Sequence, residues 1–207
     1  MNLMIAIPAM DTMSTPFVES LLKLTRRLAA DGVPYDVVIE AGTLIYMARD
    51  RLASKAVKNE AYTHVLWLDS DMVFSESIVE DLSFCGADMV SGIAHGRRSP
   101  FLSCLFKSLD LSALERWKPE DYPSEAFEVA GCGMACVLMK TQILKDVFLA
   151  FNTCFMPLLS YGEDLSFCKR AASLGVRIFA EPAVRLGHIG HITIWPDSCA
   201  RYVDEIH

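Results

Sequence analysis

HVLWLDSDMVF, residues 64–74, decides how the rest of the chain is read. Val65, Leu66, Trp67 and Leu68 are apolar without interruption, as a strand covered on both faces should be. The run ends in Asp69-Ser70-Asp71, and apolar residues resume at Met72. In extended backbone alternate side chains point the same way, so the two carboxylates can face one spot. Side by side and unpaired they repel, and one tends to keep its proton. A divalent cation removes that conflict, and oxygen ligands favour Mg2+ or Mn2+. The same tripeptide also reads as the start of a turn, with Asp71 as a helix cap. Partners elsewhere in the chain decide between the two readings.

Outward from this stretch, strand and helix patterns alternate. LMIAIP (3–8) reads as a short buried strand. Thr15 is placed to cap a helix with Pro16 at its first position, where the missing N–H costs nothing. Leu21, Leu24 and Leu28 keep helical spacing until Gly32 and Pro34 stop it. DVVIE (36–40) is a second strand and 46–59 a second helix. After the third strand, at 65–68, Ser75 is expected to cap a helix reaching Phe84, and ADMVSG (87–92) is a fourth strand. This alternation predicts an α/β fold with a parallel sheet and right-handed crossovers. Residues 96–122 are polar and irregular. A strand, a glycine break and a further strand are expected over 127–140. A short helix begins at Thr141. Another spans about 163–174, with Ser166, Lys169, Arg170 and Ser173 on its wet face. VRIFAEPAV (176–184) gives a last long strand before RLGHIGHITI (185–194).

Composition narrows the class. The chain has 207 residues, 52% hydrophobic and 22% charged, with a net charge of −7. That supports a sizeable core and disfavours a protein built mainly to grip phosphate backbones. The apolar start is broken by Pro8 and Asp11 and lacks a basic stretch before it, which fits neither a signal peptide nor a membrane span. The seven cysteines include no CxxC pair. A reduced, cytoplasmic protein without a zinc site or disulfide framework is expected, with Cys132 and Cys136 the pair most open to challenge.

In a parallel sheet with helices on both faces, ligands bind beyond the carboxyl ends of the strands, where Asp69 and Asp71 sit. Glu163 and Asp164 head a helix, where the dipole favours anions. His188 and His191 lie in a glycine-rich, otherwise apolar segment, and either can complete a metal shell or simply be core. Gly131 and Gly133 leave space for close approach of a ligand to backbone, or mark a bulge. His95, Arg97 and Arg98 read as phosphate or acceptor contacts, or as solvated surface.

Together these motifs resemble the GT-A-fold glycosyltransferases, family-2-like members of bacterial and phage type. IAIPAMD is similar to the opening strand and nucleotide loop. MARDRLASKAV resembles the "ARN-x-L" helix, with Arg49 at the arginine near the nucleotide and Asp50 where asparagine is common. LWLDSDMVF matches the DXD segment. VAGCGMACVLMK resembles the "G-x-G-x-x-L-x-[RK]" pair lining the donor sugar. GEDLSFCKRAASLG matches the acidic motif on the acceptor-side helix, and LGHIG the C-terminal metal-binding histidine.

The resemblance implies a GT-A fold: Rossmann-like, with a mostly parallel central sheet flanked by helices and a small antiparallel addition in the C-terminal half. It implies one domain over 1–207, with 1–94 the nucleotide-binding half and 95–207 the donor-sugar and acceptor half. The activity implied is transfer of a sugar from a nucleotide sugar, a UDP-sugar above all, to an acceptor hydroxyl, with inversion. Asp69, Asp71 and His188 would hold Mn2+ or Mg2+, with His191 the alternative; His188 precedes Ile-Gly as the motif's histidine does. Asp164 would be the base and Glu163 its helper. Pro8, Ala9, Asp11, Glu40, Arg49, Asp69, Ser70, Gly131 and Gly133 would line the donor. The acceptor class stays open among a glycan, a protein and a modified DNA base, and oligomeric state is unreadable. Two rivals are carried alongside. A sugar-nucleotide-binding module without turnover shares every donor contact. A nucleotidyltransferase shares the sheet, but IPAMDTMSTP lacks the glycine-rich basic loop of that class. A zinc-binding regulatory protein is a distant third.

Overall fold

A computed structural model of the protein describes residues 1–190. In chain order the elements are β1 (Leu3–Pro8), α1 (Thr15–Ala30), β2 (Tyr35–Glu40), α2 (Ile45–Lys58), β3 (His64–Leu68), β4 (Met72–Val73), α3 (Ile78–Ser83) and β5 (Met89–Ile93). There follow β6 (Leu105–Ser108), β7 (Glu115–Arg116), β8 (Phe127–Val129), β9 (Gly131–Cys132), β10 (Cys136–Lys140), α4 (Thr141–Phe151), α5 (Glu163–Ser173), β11 (Ile178–Arg185) and β12 (Gly187–His188).

Seven strands form the central sheet in the order β2-β1-β3-β10-β5-β11-β8. β2, β1, β3, β5 and β11 run one way, and β10 and β8 run against them. The expected mostly parallel α/β sheet with flanking helices is therefore what forms. The small antiparallel addition is β7-β6-β9, and β12 and β4 form a separate two-stranded ribbon. Strands from both halves interleave: β10, from the second half, fills the gap between β3 and β5.

Burial follows pattern. β1 is buried along its whole length and β3 over Val65–Leu68, as near-continuous apolar strands should be. β2 is an edge strand, and Val37 and Ile39 remain exposed there. One face of the sheet packs Trp67 against Phe155 with ring centroids 5.0 Å apart, and Phe155 stacks on Phe167 at 4.7 Å. Each such aromatic pair contributes about 0.5–1.5 kcal/mol beyond its buried area. The chain of rings fixes α5 and the segment before it against β3, so Glu163 and Asp164 stand near Asp69.

The structure departs from the sequence reading in three local ways. Ser14, not Thr15, caps α1: its hydroxyl accepts from Phe17 N at 3.3 Å. α3 starts at Ile78 rather than just after Ser75, because the Ser75 hydroxyl accepts from Ser77 N at 3.3 Å and closes a turn first. Ser166 and Arg170, expected on the wet face of α5, are buried. Their polar groups satisfy the backbone of the segment before α5. Ser166 Oγ accepts from Leu158 N at 2.8 Å, and Arg170 donates to the carbonyls of Cys154 at 3.0 Å and Met156 at 2.6 Å. Gly32 does end α1 as expected, with φ +66° and its N–H on Ala29 O. Among the described residues no helix is long and apolar enough to cross a membrane.

Candidate functional site

β3 delivers Asp69-Ser70-Asp71 to the carboxyl edge of the sheet. Backbone hydrogen bonds hold it there. Asp69 N donates to Ala135 O at 3.0 Å, Met72 N returns to Asp69 O at 3.3 Å, and Ser14 N donates to Ser70 O at 3.2 Å. The cap of α1 thus also pins the middle of the tripeptide. The two aspartates then enter different surroundings.

Asp69 faces Arg49. Its Oδ1 accepts from Arg49 Nη2 at 2.7 Å. Arg49 Nη1 bonds Asp164 Oδ1 and lies 3.6 Å from Glu163 Oε1. One guanidinium, only 2% exposed, therefore gathers three carboxylates. Its remaining nitrogen, Nε, is buried without a protein partner. Burial pushes the Asp69 carboxyl above the ordinary range, more than Arg49 pulls it down. Gly162 caps α5 through backbone alone, which places Glu163 and Asp164 in the first turn, where the helix dipole favours anions.

Asp71 stands between Arg97 and His188. Its Oδ2 accepts from Arg97 Nη1 and stands 3.4 Å from His188 Nε2. The β12–β4 ribbon fixes this pairing, since His188 lies in register with Met72 and Ile189 N donates to Asp71 O at 2.9 Å. The other ring nitrogen, Nδ1, sits 2.8 Å from the His95 carbonyl. A carbonyl accepts only, so Nδ1 carries a proton and donates it, leaving Nε2 toward Asp71. With a carboxylate there, Nε2 is either protonated or shares a cation. Accordingly the Asp71 hydrogen bond raises the His188 pKa. Burial raises that of Asp71, but His188 and Arg97 outweigh it and the net shift is downward.

Other expected residues fall into two groups. Gly133 stands at the site: a side chain there would lie 3.7 Å from Asp164 Oδ2 and 3.3 Å from Cys104 Cβ. Gly131 is buried, and its missing side chain makes room for Leu109, 2.9 Å from where a Cβ would be. Pro8 and Ala9 are buried at the end of β1, and Asp11 is exposed just beyond. Glu40 ends β2 opposite Pro8, with Lys55 at 2.7 Å and Arg51 at 3.1 Å; the Lys55 hydrogen bond holds its carboxyl below the usual range despite burial. His191 lies outside the described residues.

Asp50 anchors the segment that leads to α5. Its Oδ1 accepts from Cys154 N at 2.9 Å and Phe155 N at 2.7 Å, and its Oδ2 from the Thr153 hydroxyl at 2.6 Å. An asparagine offers one acceptor oxygen where this site uses two. Sequence reasoning missed this anchor, the Ser14 clamp and the His95 carbonyl behind His188. Each joins residues from 56 to 105 positions apart, and no local pattern marks them. Of Cys132 and Cys136, the two whose reading as plain thiols is most open to challenge, Cys132 meets Cys168: its backbone N–H donates to Cys168 Sγ at 3.5 Å. The six described cysteines are free thiols.

Among the described residues no group of three or more His, Cys, Asp or Glu side chains is arranged to hold a metal ion. Asp71 and His188 form a set of two.

No protein-family model matches the chain, and no curated protein matches it in sequence. Solved structures do match in fold. A197 from STIV superposes with a TM-score of 0.62 at 18% identity, over 92% of this chain and 87% of that one. GalNAc-T7, in a crystal structure with UDP, GalNAc and Mn2+, superposes with a TM-score of 0.57 at 10% identity. That match covers 94% of this chain and 44% of GalNAc-T7. The chain therefore has a GT-A-like α/β fold.

Proposed function

We propose that the protein is a divalent-cation-dependent glycosyltransferase that moves a sugar from a nucleotide sugar, a UDP-sugar in the first instance, to an acceptor hydroxyl with inversion. The reading treats 1–207 as one domain, with the nucleotide over the first half and the acceptor against the second. One observation carries it: His188, its Nδ1 proton given to a backbone carbonyl, aims Nε2 at Asp71 beside the carboxyl edge of the sheet. Histidines that ligate metals are oriented in this way by a carbonyl behind them. GalNAc-T7 was crystallised with UDP, GalNAc and Mn2+, which favours the same ligand classes here.

The donor set fits such a cation. A carboxylate and an imidazole are acceptable ligands for Mn2+, and magnesium-type sites commonly use one or two carboxylates with substrate phosphates and water completing the shell. Asp71 and His188 would hold it, with Asp69 behind them. When bound, the cation supplies Lewis-acid stabilisation of the negative charge growing on the departing diphosphate. This chain's own groups do the rest. Arg49 fixes Asp164 through Oδ1, leaving Oδ2 toward Gly133. Oδ2 is then the atom that takes the proton of an acceptor hydroxyl lying over Gly133. Glu163 neighbours it and orients the acceptor. Arg49, spent on three carboxylates, acts as their counterion rather than as a phosphate ligand.

A binding module without turnover is favoured by one feature: Arg49 encloses all three inner carboxylates in a single ion cluster. Asp164→Asn separates the readings. Transfer by the variant should fall by about 10²–10⁴ with donor binding retained. In a thermal screen, a matching nucleotide sugar at 100 times its Kd with Mn2+ should stabilise both proteins by about 2.7 kcal/mol, a rise of about 5–10 °C. Equal transfer by variant and wild type removes Asp164 as the base. No shift with any nucleotide sugar under any divalent metal removes the donor reading.

A further inference from the structure

Arg97 occupies the place where a cation would bind. Its Nη1 bonds Asp71 Oδ2, the same oxygen that stands 3.4 Å from His188 Nε2. A cation held between Asp71 and His188 would meet a guanidinium on that oxygen, and two positive groups at such range repel. Both cannot keep Asp71 Oδ2.

Arg97 is free to leave in a way that Arg49 is not. Its side chain is 50% exposed, against 2% for Arg49. Among the described residues its guanidinium has no second hydrogen-bond partner, whereas Arg49 has carboxylates on both terminal nitrogens. The backbone beneath Arg97 is tethered: Gly96 N donates to Leu102 O and Phe101 N to Arg98 O, both at 2.8 Å. Gly190 packs so closely on it that a side chain there would come within 3.2 Å of Arg97 O. The anchor is fixed and only the long side chain needs to move.

We propose that Arg97 is a displaceable counterion: it neutralises Asp71 in the unliganded protein, and it swings to the diphosphate of the nucleotide when a divalent cation takes its place. The inference rests on the cation-dependent donor site proposed above. Arginine suits the second task because its planar fork bonds phosphate oxygens in pairs. The exchange trades one ion pair for two. Asp71 passes from a guanidinium to a divalent cation, and Arg97 passes from a carboxylate to a diphosphate.

The test compares Arg97→Gln with Arg98→Gln, which removes the same charge one residue away from a side chain that does not bond Asp71. Mn2+ affinity is measured without nucleotide by titration of free Mn2+, and UDP affinity by calorimetry at saturating Mn2+. Arg97→Gln should bind Mn2+ about two- to fivefold tighter than wild type, the size of a removed surface ion pair. It should bind UDP about tenfold more weakly. Arg98→Gln should stay within about twofold of wild type on both counts, as screened surface charges do. Unchanged or weaker Mn2+ binding by Arg97→Gln, or UDP binding equal to that of Arg98→Gln, overturns the exchange. Asp71→Ala separates this from failure of the donor reading. If wild type binds Mn2+ and UDP and Asp71→Ala does not, the site stands and the Arg97→Gln result decides the exchange alone. If wild type binds neither, the cation-dependent site falls and the exchange falls with it.

Discussion

Asp69 and Asp71 are two residues apart on one strand end, yet one is locked and the other is open. Asp69 belongs to a closed cluster in which a buried guanidinium satisfies three carboxylates. Asp71 belongs to an open corner formed by a histidine and a half-exposed arginine. They do not alternate along a strand as expected from sequence: residues 69–71 form a turn after β3, closed by Met72 N on Asp69 O, and their partners differ in origin. Arg49 comes from a helix packed on the sheet, while Arg97 comes from an irregular segment and His188 from the β12–β4 ribbon. The lesson is that D-S-D divides its labour. The first carboxylate shares a buried guanidinium with the head of α5, and the second pairs with Arg97 and His188.

The largest expected effect breaks the closed side. Arg49→Leu leaves Asp69, Glu163 and Asp164 without their shared buried counterion. Removing one partner of a buried ion pair costs about 3–5 kcal/mol. For a chain of this size that is a fall of about 6–20 °C in Tm. Arg97→Gln, on the open side, should change stability by no more than about 1 kcal/mol. Equal Tm values for the two variants would erase the distinction between the corners.

The smallest effect sharpens the comparison from the other end of the same strand. His64 begins β3, far from the carboxyl edge, and burial lowers its pKa, with the chain's amino terminus and Lys140 adding to the shift. A histidine whose folded pKa lies below its unfolded value of about 6.5 favours the folded state fully above that value. That stability is lost as pH falls through about 6.5 toward the folded pKa. Stability measured by denaturant titration should therefore drop more steeply between about pH 6.5 and 5 in wild type than in His64→Gln. Mn2+ and UDP affinity should be the same in both. A variant that follows the wild-type stability curve would show that His64 does not titrate differently in the fold.

Much of the fold is legible in the sequence because it is local. Uninterrupted apolar runs such as 65–68, helical leucine spacing over 21–28 and glycine at 32 each act within a few residues. So does Asp-Ser-Asp at a strand end, which pointed to the carboxyl edge. The rest depended on long-range closure. Ser166 and Arg170 look like surface residues by composition, and become core because the preceding segment needs its backbone satisfied. Arg49 looks like an exposed helix arginine until three carboxylates meet it. Gly131 and Gly133 look alike in sequence. Packing separates them, one against Leu109 and the other beside Asp164. Arg97 had no signal beyond its charge, since its partner stands 26 positions away.

The central claim is that Asp71 and His188 together hold a divalent cation against a nucleoside diphosphate. The most direct measurement is an anomalous difference map from crystals soaked with Mn2+ and UDP. One strong peak is expected between Asp71 and His188 Nε2, with the diphosphate against it and Arg97 turned off Asp71. A map with no peak at that corner, and with Arg97 still bonded to Asp71 while UDP is bound elsewhere, would contradict it.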